Sequence, residues 1–150
     1  MKPGKVRPIA ICVFRRSGRI LVAEGYDEIK RQVFYRPLGG KIEFGERGEE
    51  TILRELREEL NLETIHLRYL GTFENIFTYN GKMGHEIVLV YDGEFVDSQV
   101  YNQEQITGRE EEGIPIKAIW KSLDDFYAVP DSIEEPLYPT GLLELLRETA

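Results

Sequence analysis

The stretch Gly40-Lys41-Ile42-Glu43-Phe44-Gly45-Glu46-Arg47-Gly48-Glu49-Glu50-Thr51-Ile52-Leu53-Arg54-Glu55-Leu56-Arg57-Glu58-Glu59-Leu60-Asn61-Leu62 decides how the chain is read. Its second half has neither proline nor glycine and predicts an amphipathic helix over residues 49–60. Counting about 100° per residue from Glu55, Ile52, Leu56, Leu60 and Leu53 fall between about 60° and 160°, a stripe that can anchor the helix to a core. Glu55, Glu58 and Glu59 share the adjoining arc of about 100°. Arg54 and Arg57 lie farther round and reach only part of that cluster. Like charges three and four residues apart cost a few tenths, roughly 0.2–0.5 kcal/mol, per pair on an isolated helix, and more when shielded from water. Carboxylates on a rigid element, beside glycines that permit close backbone approach, suit a hard cation such as Mg²⁺ or Mn²⁺. An acidic face turned to solvent is the competing reading of the helix taken alone.

The spacing narrows the choice. From Gly40 there are five residues to Glu46, seven more to Arg54-Glu55-Leu56, one to Glu58-Glu59, and one more to Asn61-Leu62. This arrangement resembles the Nudix box, the defining motif of the Nudix hydrolase family, at every specified position but one. Asn61 stands where the pattern has its last glycine, a helix end that calls for a left-handed residue, and Asn is the next best there. Pro37-Leu38-Gly39-Gly40 also departs from the family's commoner proline directly before two glycines, which reshapes the loop entering the motif.

The resemblance implies an α/β (α+β) sandwich with a mixed β-sheet, in one domain over residues 1–150. It implies hydrolysis of a pyrophosphate bond in a nucleoside diphosphate linked to another moiety, such as a nucleoside triphosphate or ADP-ribose. The metal would be Mg²⁺ or Mn²⁺, held by Glu58 and Glu59, with the Gly40 carbonyl an additional ligand. Glu55 would be a further ligand or the group that activates water. Arg54 would orient carboxylates, with Glu46 as its partner. Extra carboxylates from outside the box are sought at Glu86 and in Glu110-Glu111-Glu112. Arg36, Gly39 and Gly40 are candidates for touching substrate phosphate. Phe34, Tyr35, Phe77, Tyr79 and Tyr127 are candidates for stacking on a base, with core packing the preferred reading of each. His85 is read as a surface or hairpin residue, and His66 receives no role. Two other functions fit the resemblance: a Nudix-fold domain that senses a nucleotide without cleaving it, and an isomerase of isoprenoid diphosphates, which needs a catalytic cysteine.

Outward from the box, residues 8–14 form an apolar run expected to be a strand covered on both faces, and residues 20–23 its returning partner. Residues 33–35 read as a short strand, and residues 37–48 as a loop-rich passage. Residues 67–79 and 86–95 read as a hairpin turned at Asn80-Gly81. Residues 96–113 are expected to be a long polar loop, residues 114–120 a strand, and residues 122–126 a short helix. A last helix over residues 141–148 is expected, with Thr140 as its N-cap.

The chain has 150 residues, 41% hydrophobic and 31% charged, which suits one folded domain. Its net charge of −8 argues against nucleic acid or an anionic membrane as partner and would repel a polyphosphate unless a cation intervened. The single cysteine, Cys12, lies in the apolar run and is read as a buried structural thiol. No apolar stretch approaches the roughly 18 residues that span a membrane, and the N-terminal residues are too short and interrupted for a signal peptide. The cytoplasm is the expected compartment, with a nucleoside-diphosphate-type small molecule as partner. A homodimer is compatible with the resemblance, and the sequence leaves oligomeric state open.

Overall fold

The apolar run centred on Ile11 is the middle of the molecule. In a computed structural model that describes residues 4–126 and 135–149, it extends to β1 (Val6–Arg16). Successive side chains of a strand point to opposite faces, and here both faces are dry. Ala10, Cys12 and Phe14 enter one core, whereas Ile9, Ile11 and Val13 enter the other. The first core is closed by Ile52, Leu56 and Leu60 of α1 (Gly48–Leu60), and the second by Leu142 and Leu146 of α2 (Leu142–Glu148). A mixed sheet between two helical layers follows from that alternation.

Seven more strands complete the sheet: β2 (Arg19–Asp27), β3 (Gln32–Arg36), β4 (Leu38–Lys41), β5 (Thr64–Tyr79), β6 (Lys82–Phe95), β7 (Gln105–Arg109) and β8 (Pro115–Ser122). The order is β5-β6-β1-β2-β8-β7, with β4 on β1 and β3 on β2. β1 runs parallel to β6 and antiparallel to β2 and β4. The β5–β6 hairpin turns at Asn80 and Gly81, both at positive φ (48° and 78°), the backbone that a tight two-residue turn demands. Asp27, 3% exposed, ties this turn to the end of β2: it accepts the backbone N–H groups of Ile29, Lys30 and Asn80. The Lys30 ammonium donates to the Thr78 carbonyl across the same gap, at 2.7 Å.

Three expectations are corrected. The loop-rich passage contains β4, which pairs Leu38–Lys41 with Ile9–Cys12 although it carries no β-branched residue. A side chain at Gly39 would strike the Ala10 backbone, so glycine permits this pairing. The polar stretch after Val96 is not a loop throughout: Ser98–Asn102 forms a 3₁₀ segment, and β7 pairs with β8 through Ile106↔Ala118. Val100 and Ile106 are buried, one apolar anchor in each piece, too few to write a period. Finally, α2 starts at Leu142 with Gly141 at φ 97° as its cap and no side-chain cap from Thr140. The Pro139 carbonyl receives the Leu142 N–H instead, at 3.1 Å. Among the described residues no helix is long and apolar enough to cross a membrane.

Candidate active site

α1 is locked at both ends by its own sequence. The Glu50 carboxylate accepts the Arg47 N–H at 3.0 Å, closing the first turn. Asn61 takes the left-handed conformation (φ 56°, ψ 40°), so its N–H reaches the Arg57 carbonyl and that of Leu62 reaches Leu56. With Ile52, Leu56 and Leu60 buried, the arc bearing Glu55, Glu58 and Glu59 faces a cleft of about 880 Å³. Gly39 and Gly40 of β4, Arg36, Glu86 and the turn Glu110-Glu111-Glu112 line the same cleft.

Arg54 organises the acids. Its guanidinium donates to both Glu46 oxygens at 2.8 and 2.9 Å, to Glu55 Oε1 at 2.8 Å, and to the Lys41 carbonyl at 3.1 Å. Glu58 lies at its limit, 3.4 Å, and Thr51 donates to Glu46 at 2.6 Å. The hydrogen bonds from Arg54 hold the Glu46 carboxyl down at about 2. Glu59 is treated the opposite way. Burial, a hydrogen bond to Glu55 and the charges of Glu55, Glu110 and Glu58 push it up to about 9. The charged neighbours that act on it, Glu55, Glu110 and Glu58, are all acidic, so one end of the arc is paired with Arg54 and the other is biased toward its protonated form.

Gly40 is where β4 meets this arc. A Cβ there would lie 2.7 Å from Glu55 Oε1, so any side chain at this position would push the carboxylate off the strand backbone. The donors that meet here are hard oxygens alone, and an uncompensated negative charge is what a divalent cation relieves. The set fits Mg²⁺ or Mn²⁺ in kind. As the side chains stand, no three of them among the described residues are gathered tightly enough to grip an ion.

A second cavity, about 540 Å³, opens beside the first between β2, β3 and the β5–β6 hairpin. Phe34, Phe77, Tyr79 and Tyr138 line it, so for the first three the preference for core packing is corrected. Both phenyl rings lie across glycines of the neighbouring strand, Phe34 on its partner Gly25 and Phe77 on its partner Gly84. Tyr35 is buried against Phe126. Tyr127 lies outside the described residues.

Glu86 is not grouped with the box acids. It is 1% exposed, meets Arg7 at 3.0 Å and Arg36 at 3.5 Å, and lines both cavities. Arg7 was not legible as a site residue; its only sequence signal is a cation at the mouth of an apolar strand. Glu111 and Glu112 sit exposed on the cleft wall. His66 meets Glu94 at the surface. Cys12 is fully buried in β1, with its thiol pushed up by burial, and lines neither cavity. The cysteine that an isoprenoid-diphosphate isomerase needs is therefore not at this site.

The model for the NUDIX domain matches residues 4–140. Over 100 residues the chain is 29% identical to the NAD-capped RNA hydrolase NudC of Pseudomonas aeruginosa, a stretch covering 67% of this chain and 33% of that protein. The chain thus spans about a third of the length of the curated relatives it matches. The fold superposes on a MutT NUDIX hydrolase from Burkholderia pseudomallei with a TM-score of 0.61 at 23% identity, covering 95% of this chain and 97% of that one. It superposes on an ADP compounds hydrolase with a TM-score of 0.64 at 16% identity, covering 97% and 74%. At such identities the likeness concerns architecture, the same large mixed sheet with few helices.

Proposed function

The chain belongs to the NUDIX domain family, and on that premise we propose that it is a divalent-metal-dependent pyrophosphohydrolase acting on a nucleoside diphosphate joined to a further group. One observation carries the reading: carboxylates on a single helical face, with Glu59 pushed up to about 9 by burial and its acidic neighbours. Such an arrangement is unfavourable unless a cation is part of the working state.

Glu58, Glu59 and the Gly40 carbonyl would hold the ion, with Glu55 as a further ligand. A bound divalent cation would offset the charge of the diphosphate and lower the pKa of a water molecule. Glu55 is the residue poised to accept that water's proton, because Arg54 fixes its Oε1 at 2.8 Å within the acidic arc. Glu46, bound through both oxygens, fixes Arg54 in turn. Glu110, Glu111 and Glu112 bring further acid to the cleft wall. The aromatic-walled cavity is suited to the organic group beyond the diphosphate.

The test is incubation with ADP-ribose, nucleoside triphosphates and NAD in Mg²⁺ or Mn²⁺, with products identified by mass spectrometry. NAD enters the panel because one relative is an NAD-capped RNA hydrolase. A nucleoside monophosphate with its phosphorylated remainder is the expected product pair. Binding without cleavage of any compound would replace this reading with nucleotide sensing.

A further inference from the structure

Arg7 and Glu86 are 79 residues apart, yet the parallel register of β1 on β6 sets them directly side by side. Arg7 donates to Glu86 Oε2 at 3.0 Å. The other oxygen, Oε1, is buried and accepts no hydrogen bond; the Arg36 guanidinium stands 3.5 Å away. One buried carboxylate thus faces two guanidiniums, and the three side chains together carry a surplus positive charge. A carboxylate this deep is costly unless paired, so it earns its place by what it holds.

Position tells what that is. Arg7, Ala23, Arg36, Glu86 and Glu110 are the residues common to both cavities, so the arginine pair forms the neck between the acidic cleft and the aromatic-walled cavity. The Arg7 and Arg36 side chains are 51% and 37% exposed, and each keeps N–H donors beyond the one that meets Glu86. Glu110, the other acid at the neck, is exposed and solvated. In a chain of net charge −8, the two guanidiniums bring N–H donors and positive charge directly beside the carboxylates.

We propose that Arg7 and Arg36 bind a phosphate of the substrate at this neck, and that Glu86 is a positioning residue that fixes both guanidiniums rather than a metal ligand or base. The inference rests on the pyrophosphohydrolase reading for its substrate, but not for its binding chemistry. A phosphate held between two planar forks explains how a diphosphate compound spans the two cavities, one end at the acidic helix and the other among the aromatic rings.

The experiment is calorimetric binding of ADP in EDTA to wild type, Arg7→Gln, Arg36→Gln and Glu86→Gln, paired with kcat and KM on any compound cleaved. Each arginine variant is expected to weaken ADP binding about tenfold. Glu86→Gln is expected to weaken it comparably, with the loss carried by KM while kcat moves less. A scaffold role alone would lower the melting temperature and leave ADP affinity of the folded protein intact, which overturns the positioning role. ADP affinity unchanged in both arginine variants overturns the anion seat. Should Glu86→Gln fail to fold, the two arginine variants, altered at exposed side chains, decide by the same criterion. A wild type that cleaves nothing while ADP binding depends on these residues refutes hydrolysis and retains the seat. Cleavage indifferent to all three refutes the seat and retains hydrolysis.

Discussion

If Glu59 ligates the cation as proposed, cation binding must release a proton. Its carboxyl is pushed from an ordinary 4.5 up to about 9 by burial and by Glu55, Glu110 and Glu58. At pH 7 it therefore holds a proton that must leave before it can ligate a cation. The interval from 7 to 9 is two units, so proton competition weakens the apparent affinity about 100-fold at pH 7. Affinity for Mn²⁺, measured by calorimetry without substrate, should rise about tenfold per pH unit between pH 7 and 9 and then level off. Titrations at pH 7 in two buffers of different ionisation enthalpy should show about one proton released per cation bound. Glu59→Gln should abolish both the slope and the release. Folding stability should follow the same linkage. Because folding raises this carboxyl, its contribution is fully present below about 4.5 and is lost as pH rises through about 9. The cation-free protein should thus lose stability over that window and regain it when Mn²⁺ is added. An affinity that is flat from pH 7 to 9, with no proton released, would show Glu59 already ionised and would refute the reasoning.

Glu46 should behave in the opposite sense. Arg54 holds it at about 2, so its contribution to stability is present above about 4.5 and lost as pH falls toward 2; an acid titration followed by circular dichroism should show that component vanish in Glu46→Gln. Glu58→Gln should lower turnover by about two orders of magnitude or more with an unchanged melting temperature, because its side chain is 59% exposed and supports no packing. Gly25→Ala should drive the Phe34 ring off its glycine and into the second cavity; KM for a substrate with a bulky organic group should rise, while metal-linked proton release stays at its wild-type value.

The helix and its acids were legible because residues 49–60 write a period that local geometry alone can decode, and because Asn61 suits the left-handed turn that ends them. β4 and β7 were not legible. Leu38-Gly39-Gly40-Lys41 is a strand only because β1 lies beside it, and Ile106 is a single anchor that needs Ala118 across the ladder. The same limit applies at the site. Phe34 and Phe77 line a cavity because glycines face them on the adjacent strands, a relation visible only once register is known. Arg7 joins Glu86 through a parallel pairing that no local pattern announces. What the sequence conceals in each case is a partner distant along the chain.

β1 sends alternate side chains into two separate cores. Inserting or deleting one residue there would exchange the contents of the two layers, delivering Ile11 to the space shaped for Cys12 and the reverse. Length changes are therefore excluded from β1 itself, which can drift in composition but not in phase. Both layers also share this one strand as their common wall, so neither can melt while the other stays intact, and the acidic helix should unfold together with the C-terminal helix on the far side.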